Sequence, residues 1–468
     1  MRYVSTRGEA PALGFRDVVL NGLASDGGLY LPEEWPSFSR DEIAALANRP
    51  FQDIAFAVMS RFAGGEIADA ALKDIIAEAY RGFRHPAVTP LVQIAPAHFL
   101  LELFHGPTLA FKDVAMQLLA GLMDHILAER GERATVVGAT SGDTGGAAVE
   151  AFRGRERVDV AVLFPDGRVS EVQRRQMTTP EDENVRAIAI RGHFDDAQAL
   201  VKAMFADTPF RREVSLSGVN SINWGRVAAQ TVYYFAAATA LGAPNRKVAF
   251  TVPTGNFGNI FAGYAAMRMG LPIDKLVIAT NINDILDRTL RTGRYEVGDV
   301  VPTASPSMDI QVSSNFERLL FEAEERQAEP TRRLMGGLKQ SGTFQIEEGA
   351  LGTIRGLFAS GRSDEEENAA TIRRVHEETG LLLDPHSAIG VAVAERNLKP
   401  GVPMITLATA HPAKFPDAVQ AASGIRPALP ESLQDMMRKK ERYEVLPAEL
   451  GAVEDAIRSH SRATRIGA

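Results

Sequence analysis

The chain has 468 residues, 45% hydrophobic and 24% charged, with 40 Gly and 25 Pro spread along its length, which is the composition of a globular protein and excludes collagen-like and disordered classes. The 51 Lys+Arg against 59 Asp+Glu leave a net charge of −8 with no compensating basic tract, arguing against nucleic acid or an anionic membrane as main partner. Zero Cys removes a disulfide framework, a thiolate zinc site, an iron–sulfur cluster and a cysteine nucleophile together.

The N-terminus, MRYVSTRGEAPALGF, lacks an apolar leader core, and the most apolar later stretch, residues 227–243, is interrupted by Gln230 and Thr231; a cytoplasmic location is expected. Residues 1–90 carry helical periodicity in SRDEIAALA and ADAALKDIIAEAY, predicting a helical N-terminal domain. Over 91–430 the texture changes. HFLLELF is strand-like, and a long helix follows whose first turn holds Lys112 and Asp113. Short β-branched runs then alternate with helical segments at 134–139, 158–164, 185–190, 248–252 and 275–280, the grammar of parallel α/β sheets. Beyond about 300 the pattern is mostly helical with one more strand at 402–409, and 431–468 reads as a charged helical tail.

In parallel α/β sheets ligands sit at the carboxyl ends of strands, which directs attention to the loops there. ATSGDTGG, residues 139–146, offers Ser141, Thr144 and exposed N–H groups at a helix start. PTGNFGNIFAGY, residues 253–264, has Gly255 and Gly258 bracketing Asn256 and Phe257, so that successive N–H groups can converge on a phosphate at a helix expected from about Asn259. A side chain at Gly258 is expected to crowd those donors, the more so if its φ is positive. Neither loop is a Walker A or GxGxxG motif, and each taken alone is equally a turn. The third feature is Lys112 in FHGPTLAFKD. The chain has ten lysines against 41 arginines, so a lysine flanked by Phe111 and Val114 is informative. Only a lysine amine can form a Schiff base, although a surface lysine paired with Asp113 fits the residues too. A desolvated lysine, a phosphate cup and a second oxyanion loop together point to pyridoxal phosphate (PLP) chemistry.

FHGPTLAFKD, ATSGDTGGAA, GRVSEVQRRQM, VNSINWGR, PTGNFGNIFAGY, SSNFERLLF, DPHSAIG and TAHPAKF, with MRYVSTRG and LASDGGLYLP at the start, resemble in order the threonine synthases of the longer bacterial and fungal type. The resemblance implies an α/β, tryptophan-synthase-β-like fold (fold type II): two parallel-sheet lobes plus the helical N-terminal domain. It implies conversion of O-phospho-L-homoserine and water to L-threonine and phosphate, the last step of threonine biosynthesis. Lys112 resembles the family's Schiff-base lysine, and Gly255, Asn256, Phe257, Gly258 and Asn259 its phosphate cup. Thr409 resembles the hydroxyl facing the pyridine nitrogen, with Thr406 the alternative register. Ser141 to Thr144 resembles the loop receiving the substrate carboxylate. Asp143 departs from the Asn of many relatives: an ionised Asp repels a phenolate, leaving it to hold loop N–H groups or a protonated oxygen.

For the substrate phosphate, VNSINWGR supplies Asn220, Ser221 and Arg226 at a helix start, with Thr140 and Thr144 as added hydroxyls. His386 and His411 carry no HExxH or GxSxG context, so no metal or hydrolase triad is expected. The acidic run at 363–368 is expected to cap a helix. The rival readings are a phospholyase on the same scaffold, releasing 2-oxobutyrate, phosphate and ammonia, and a non-catalytic phosphometabolite-binding protein, against which an intact Lys112 argues. Monomer and homo-oligomer are not distinguished.

Overall fold

The computed structural model describes residues 1–140, 142–218 and 220–466. Among them, five parallel strands form one sheet in the order Glu444–Pro447, Val185–Arg191, Val158–Pro165, Ala134–Ala139, Leu216–Ser217. Six strands form a second, in the order Phe358–Arg362, Ile273–Thr280, Val248–Pro253, Met404–Ala408, His98–Glu102, Leu91–Ala95, parallel except for the last pair. These are the two α/β lobes expected. Val158–Pro165 is buried at every position, which is why its sequence is almost uninterruptedly apolar rather than alternating. Helix Lys112–Arg130 ends at Gly131 with φ 68°, the left-handed cap that stops it.

Three expectations need correction. The region past 300 contains, besides Met404–Ala408, the edge strand Phe358–Arg362 and the short strand Thr343–Gln345, which pairs antiparallel with Arg294–Glu296. FASGR carries little strand signal, yet Gly361 suits it, since a Cβ there would come within 2.9 Å of Val393. The tail is not simply helical: Glu444–Pro447 adds a parallel edge strand, and Arg462 then anchors on the buried Asp159 at 2.5 Å. Being an edge, that strand tolerates the charged composition that hid it. The N-terminal region is helical over Phe15–Asn21, Arg40–Ala45, Phe51–Ala63 and Asp69–Arg81, but also pairs Tyr3–Ser5 with Tyr30–Pro32. Its apolar faces merge with the core of the region that follows. The rings of Tyr3, Trp35 and Phe62 lie 6.0, 5.9 and 5.5 Å from that of Trp224, on helix Trp224–Ala240.

The acidic run does cap a helix: Asp364 accepts from Glu367 N at the start of Glu365–Thr379, with three glutamates in the first turn. Residues 227–243 fall largely within Trp224–Ala240, and no described helix is long and apolar enough to cross a membrane.

Candidate active site

Lys112 opens its helix just beyond the carboxyl end of strand His98–Glu102, and it is buried, with 9% exposure. It does not pair with Asp113. That carboxylate turns back to accept from Thr108 N at 2.8 Å and Thr108 Oγ1 at 2.5 Å, closing the FHGPTLAF loop on itself. The loop is then laced to the end of strand Met404–Ala408: Phe111 N donates to Thr409 O, and His411 N to Leu109 O. Lys112 is thereby held beside Thr409 by backbone. Burial, with Lys414 and Arg226 nearby, pulls the Lys112 amine down to about 8 against the opposing pull of Asp143 and Asp113.

Asp143 begins helix Asp143–Phe152 and faces two lysines. Its Oδ1 is 2.7 Å from Lys414 Nζ and accepts from Gln173 Nε2 at 3.0 Å, while its Oδ2 is 3.9 Å from Lys112 Nζ. Burial favours its neutral form, but the two ammoniums and the hydrogen bonds from Lys414 and Gln173 outweigh it and hold the carboxyl well below the usual range. Ionised, it is a hydrogen-bond acceptor, as the protonated-oxygen alternative requires. The alternative that Asp143 holds loop N–H groups is overturned: Thr140 Oγ1 accepts from Gly142 N and Gly145 N, both at 2.9 Å. Gly142 has φ 142°, and a Cβ on it would fall 2.4 Å from Gln173, so this turn requires glycine. Thr144 is half-buried in the first turn of the helix, and Ser141 lies outside the described residues.

The glycine loop after Val248–Pro253 is shaped from behind by SSNFERLLF. Ser313 Oγ donates to Gly255 O at 2.7 Å, and Asn315 donates to Asn256 O from both its N and its Nδ2. Because C=O and N–H of a trans peptide point opposite ways, the N–H groups of Asn256 and Phe257 are turned to the other side. Helix Gly258–Arg268 begins there and adds its positive end. The left-handed residue is Phe257, with φ 64°, and not Gly258. Asn259 Oδ1 accepts from Tyr233 and Tyr234 hydroxyls at 2.5 and 3.2 Å, while its buried Nδ2 has no hydrogen-bond partner among the described residues.

VNSINWGR approaches the same place. Ser221 O accepts from Asn315 Nδ2 at 3.2 Å, and Ile222 O from Arg318 Nη2 at 2.7 Å, so one motif backs both anion loops. Arg226 is buried in the first turn of helix Trp224–Ala240, whose cap Asn223 accepts from Gly225 N. Burial lowers its pKa to about 10, which leaves it charged at neutral pH. Ser221 is half-buried and Asn220 exposed.

Residues 2–80 match the family described as threonine synthase N terminus, 83–329 the pyridoxal-phosphate dependent enzymes and 387–457 the threonine synthase C-terminal family. The chain is 54% identical to the threonine synthase of Pseudomonas aeruginosa, with 98% of each chain covered, and 43% identical to that of Saccharomyces cerevisiae, with 97% of each covered. It is similar to the crystal structure of PLP-bound threonine synthase from Brucella melitensis with a TM-score of 0.97 at 62% identity, covering 99% of this chain and 100% of that one.

The chain belongs to the threonine synthase family.

Membership makes it a PLP-dependent lyase, as the resemblance implied. The residues present fit the cofactor: a desolvated amine, a loop with N–H groups turned to one side, and the spare Asn259 Nδ2 beside it. Gly255 lets this loop pass Ser307, whose O would lie 2.7 Å from a Cβ. Thr409 follows the strand; its N–H donates to Ser387 Oγ and its C=O accepts from Phe111, leaving the hydroxyl for a ligand. Thr406 is elsewhere, buried in the strand with Oγ1 2.8 Å from His98 Nε2, so the alternative register is corrected. His386 pairs with Asp384 through Nδ1 and accepts from Ser307 N through Nε2, while His411 Nδ1 caps Ala413 N; both are structural in this threonine synthase fold. Sequence reasoning missed Lys414, Gln173, Asn315 and Ser387. Lysine scarcity, used for Lys112, applies equally to Lys414 in TAHPAKF.

Proposed function

We propose that this site converts O-phospho-L-homoserine and water to L-threonine and phosphate. The observation that carries the reading is the junction of two anion loops: Gly258 of the glycine loop stands where a Cβ would lie 3.3 Å from Ser221 O. A substrate bearing its own phosphate then finds a second anion site beside the first, with buried Arg226 to grip it. Gly255, Asn256, Phe257, Gly258 and Asn259 would hold the cofactor phosphate, Thr409 would serve the ring nitrogen, and Lys112 would be the amine for the cofactor aldehyde. Bound PLP supplies an electron sink for the carbon–hydrogen bond next to the substrate amine.

Lys112, with its lowered pKa, takes the proton from Cα and later returns one there. Arg226 presents a planar fork to the γ-phosphate and stabilises the charge that grows as it leaves. Asn220, Ser221 and Thr144 add polar contacts, and the 140–144 turn at a helix start receives the carboxylate. Thr140 acts through the turn, since its hydroxyl already accepts two N–H groups. Asp143 flanks the cofactor as half of a neutralised pair with Lys414. A neutral Thr409 hydroxyl does not enforce ring protonation, which suits elimination and replacement over transamination. A cytoplasmic location completes the proposal, and cell fractionation tests it.

Product analysis decides. Incubation with O-phospho-L-homoserine is expected to yield threonine and phosphate in equal amounts. Release of 2-oxobutyrate and ammonia in place of threonine, with phosphate released as before, would make the chain a phospholyase, and no turnover would make it a binding protein.

A further inference from the structure

Lys414 is fully buried, and its three donors meet three fixed acceptors: Thr108 O at 2.8 Å, Gln176 Oε1 at 3.3 Å and Asp143 Oδ1 at 2.7 Å. Thr108 is itself held by Asp113, and Gln176 Nε2 donates to Thr108 O as well, so this ammonium has no room to move. On the other side of Asp143, Lys112 stands at 3.9 Å from Oδ2, beyond hydrogen-bond distance. One carboxylate thus lies between two lysines and is committed to the one that cannot take part in chemistry.

We propose that Lys414 is a positioning residue, which neutralises Asp143 and so keeps the Lys112 amine from being captured as that carboxylate's counter-ion. The inference rests on Lys112 being the cofactor lysine. Its physical basis is the cost of a buried unpaired carboxylate: with Lys414 gone, the remaining cation closest to Asp143 is Lys112, and the site would hold that amine protonated. Protonated, it has no lone pair to attack an aldehyde or to take a proton. The charged groups facing Lys112 are Asp143, Lys414, Arg226 and Asp113. Lys414 and Arg226 disfavour its proton and the two carboxylates favour it, so removing Lys414 acts twice in one direction. It deletes a repelling charge and frees an attracting one.

The test reads the amine rather than turnover. The full-length chain is stripped of PLP and exposed to PLP over a pH series; cofactor uptake is followed by absorbance, and borohydride trapping with peptide mapping shows which lysine took it. In wild type the rate midpoint is expected near pH 8, with the label on Lys112. Lys414→Met is expected to raise the midpoint by about one pH unit or more, a tenfold loss of free amine at fixed pH below it. Asp143→Asn is expected to lower it below wild type, and the double variant Asp143→Asn with Lys414→Met to bring it back toward the wild-type value. The Asp143→Asn and double variants keep the question open to an answer should Lys414→Met alone fail to fold. Label on Lys112 with an unmoved midpoint in the folded variants would overturn the inference and leave Lys112 as the cofactor lysine. Label on another lysine in wild type would overturn the reading of Lys112, and the inference with it.

Discussion

Asn315 donates twice to one acceptor: its backbone N–H, at 3.1 Å, and its side-chain Nδ2, at 2.8 Å, both reach the carbonyl oxygen of Asn256. The same Nδ2 reaches Ser221 O, and Arg318 Nη1 donates to Asn315 Oδ1. The carbonyl is pinned at the back of the cup, and the N–H of Phe257 is fixed at the front. Asn315→Ala removes the side-chain half of this hold at a cost of roughly 1–3 kcal/mol. PLP is expected to bind about tenfold more weakly or worse in an equilibrium titration. An unchanged Kd would mean that the glycine loop keeps its shape unaided.

Gly258→Val is expected to disturb both anion sites. A Cβ at Gly258 comes 3.3 Å from Asn315 Nδ2 and 3.3 Å from Ser221 O, so a branched side chain pushes the two loops apart without any φ strain at that position. Loss of PLP affinity together with a raised KM is the expected pattern. Loss of PLP affinity with KM intact would confine Gly258 to the cofactor side.

Arg226→Ala is expected to lower kcat/KM for O-phospho-L-homoserine by about one to two decades, the worth of roughly 1.5–3 kcal/mol for a charge-assisted contact. Homoserine, which has no phosphate, should bind variant and wild type equally weakly. PLP content should hold, because the cofactor phosphate sits in the other loop. Since Arg226 also helps depress the Lys112 amine, the pH dependence of PLP uptake should move up in this variant. Loss of PLP itself would show that the two anion sites had been interchanged.

The buried amine also leaves a stability signature in the PLP-free chain. Lys112 falls from the ordinary 10.5 to about 8 in the fold, so between these values the unfolded chain holds a proton that the folded chain does not. Stability therefore rises with pH across that window, and below about 8 the full penalty of burying the charge is present. Urea unfolding of the PLP-free wild type, referred to Lys112→Met, should show a gain of up to about 3 kcal/mol between those limits. Parallel curves for the two proteins would place the Lys112 amine in a solvated environment. In the complete protein Lys112→Arg keeps the charge but cannot condense with the aldehyde, and borohydride should label wild type alone.

Much of this was legible in the chain itself. Strand runs such as 134–139, the helix that opens on Lys112, the two glycine-bearing turns and the Asp364 cap are local, set by periodicity and by which residues tolerate a turn or satisfy a helix end. The family resemblance extended that reading to the cofactor. What it did not contain is the pairing of groups far apart in sequence. Asp143 is a puzzling acid until folding brings Lys414 against it, and the Gly255–Asn256 carbonyls find Ser313 and Asn315 only when two separate segments meet. The strands Phe358–Arg362 and Glu444–Pro447 are decided in the same way, since each is an edge whose partner supplies the hydrogen bonds its weak local preference does not. Sequence by itself settled where backbone turns and which side chains can do chemistry. Tertiary structure alone decided their protonation and orientation, because both depend on burial and on charges that the chain brings together only by folding.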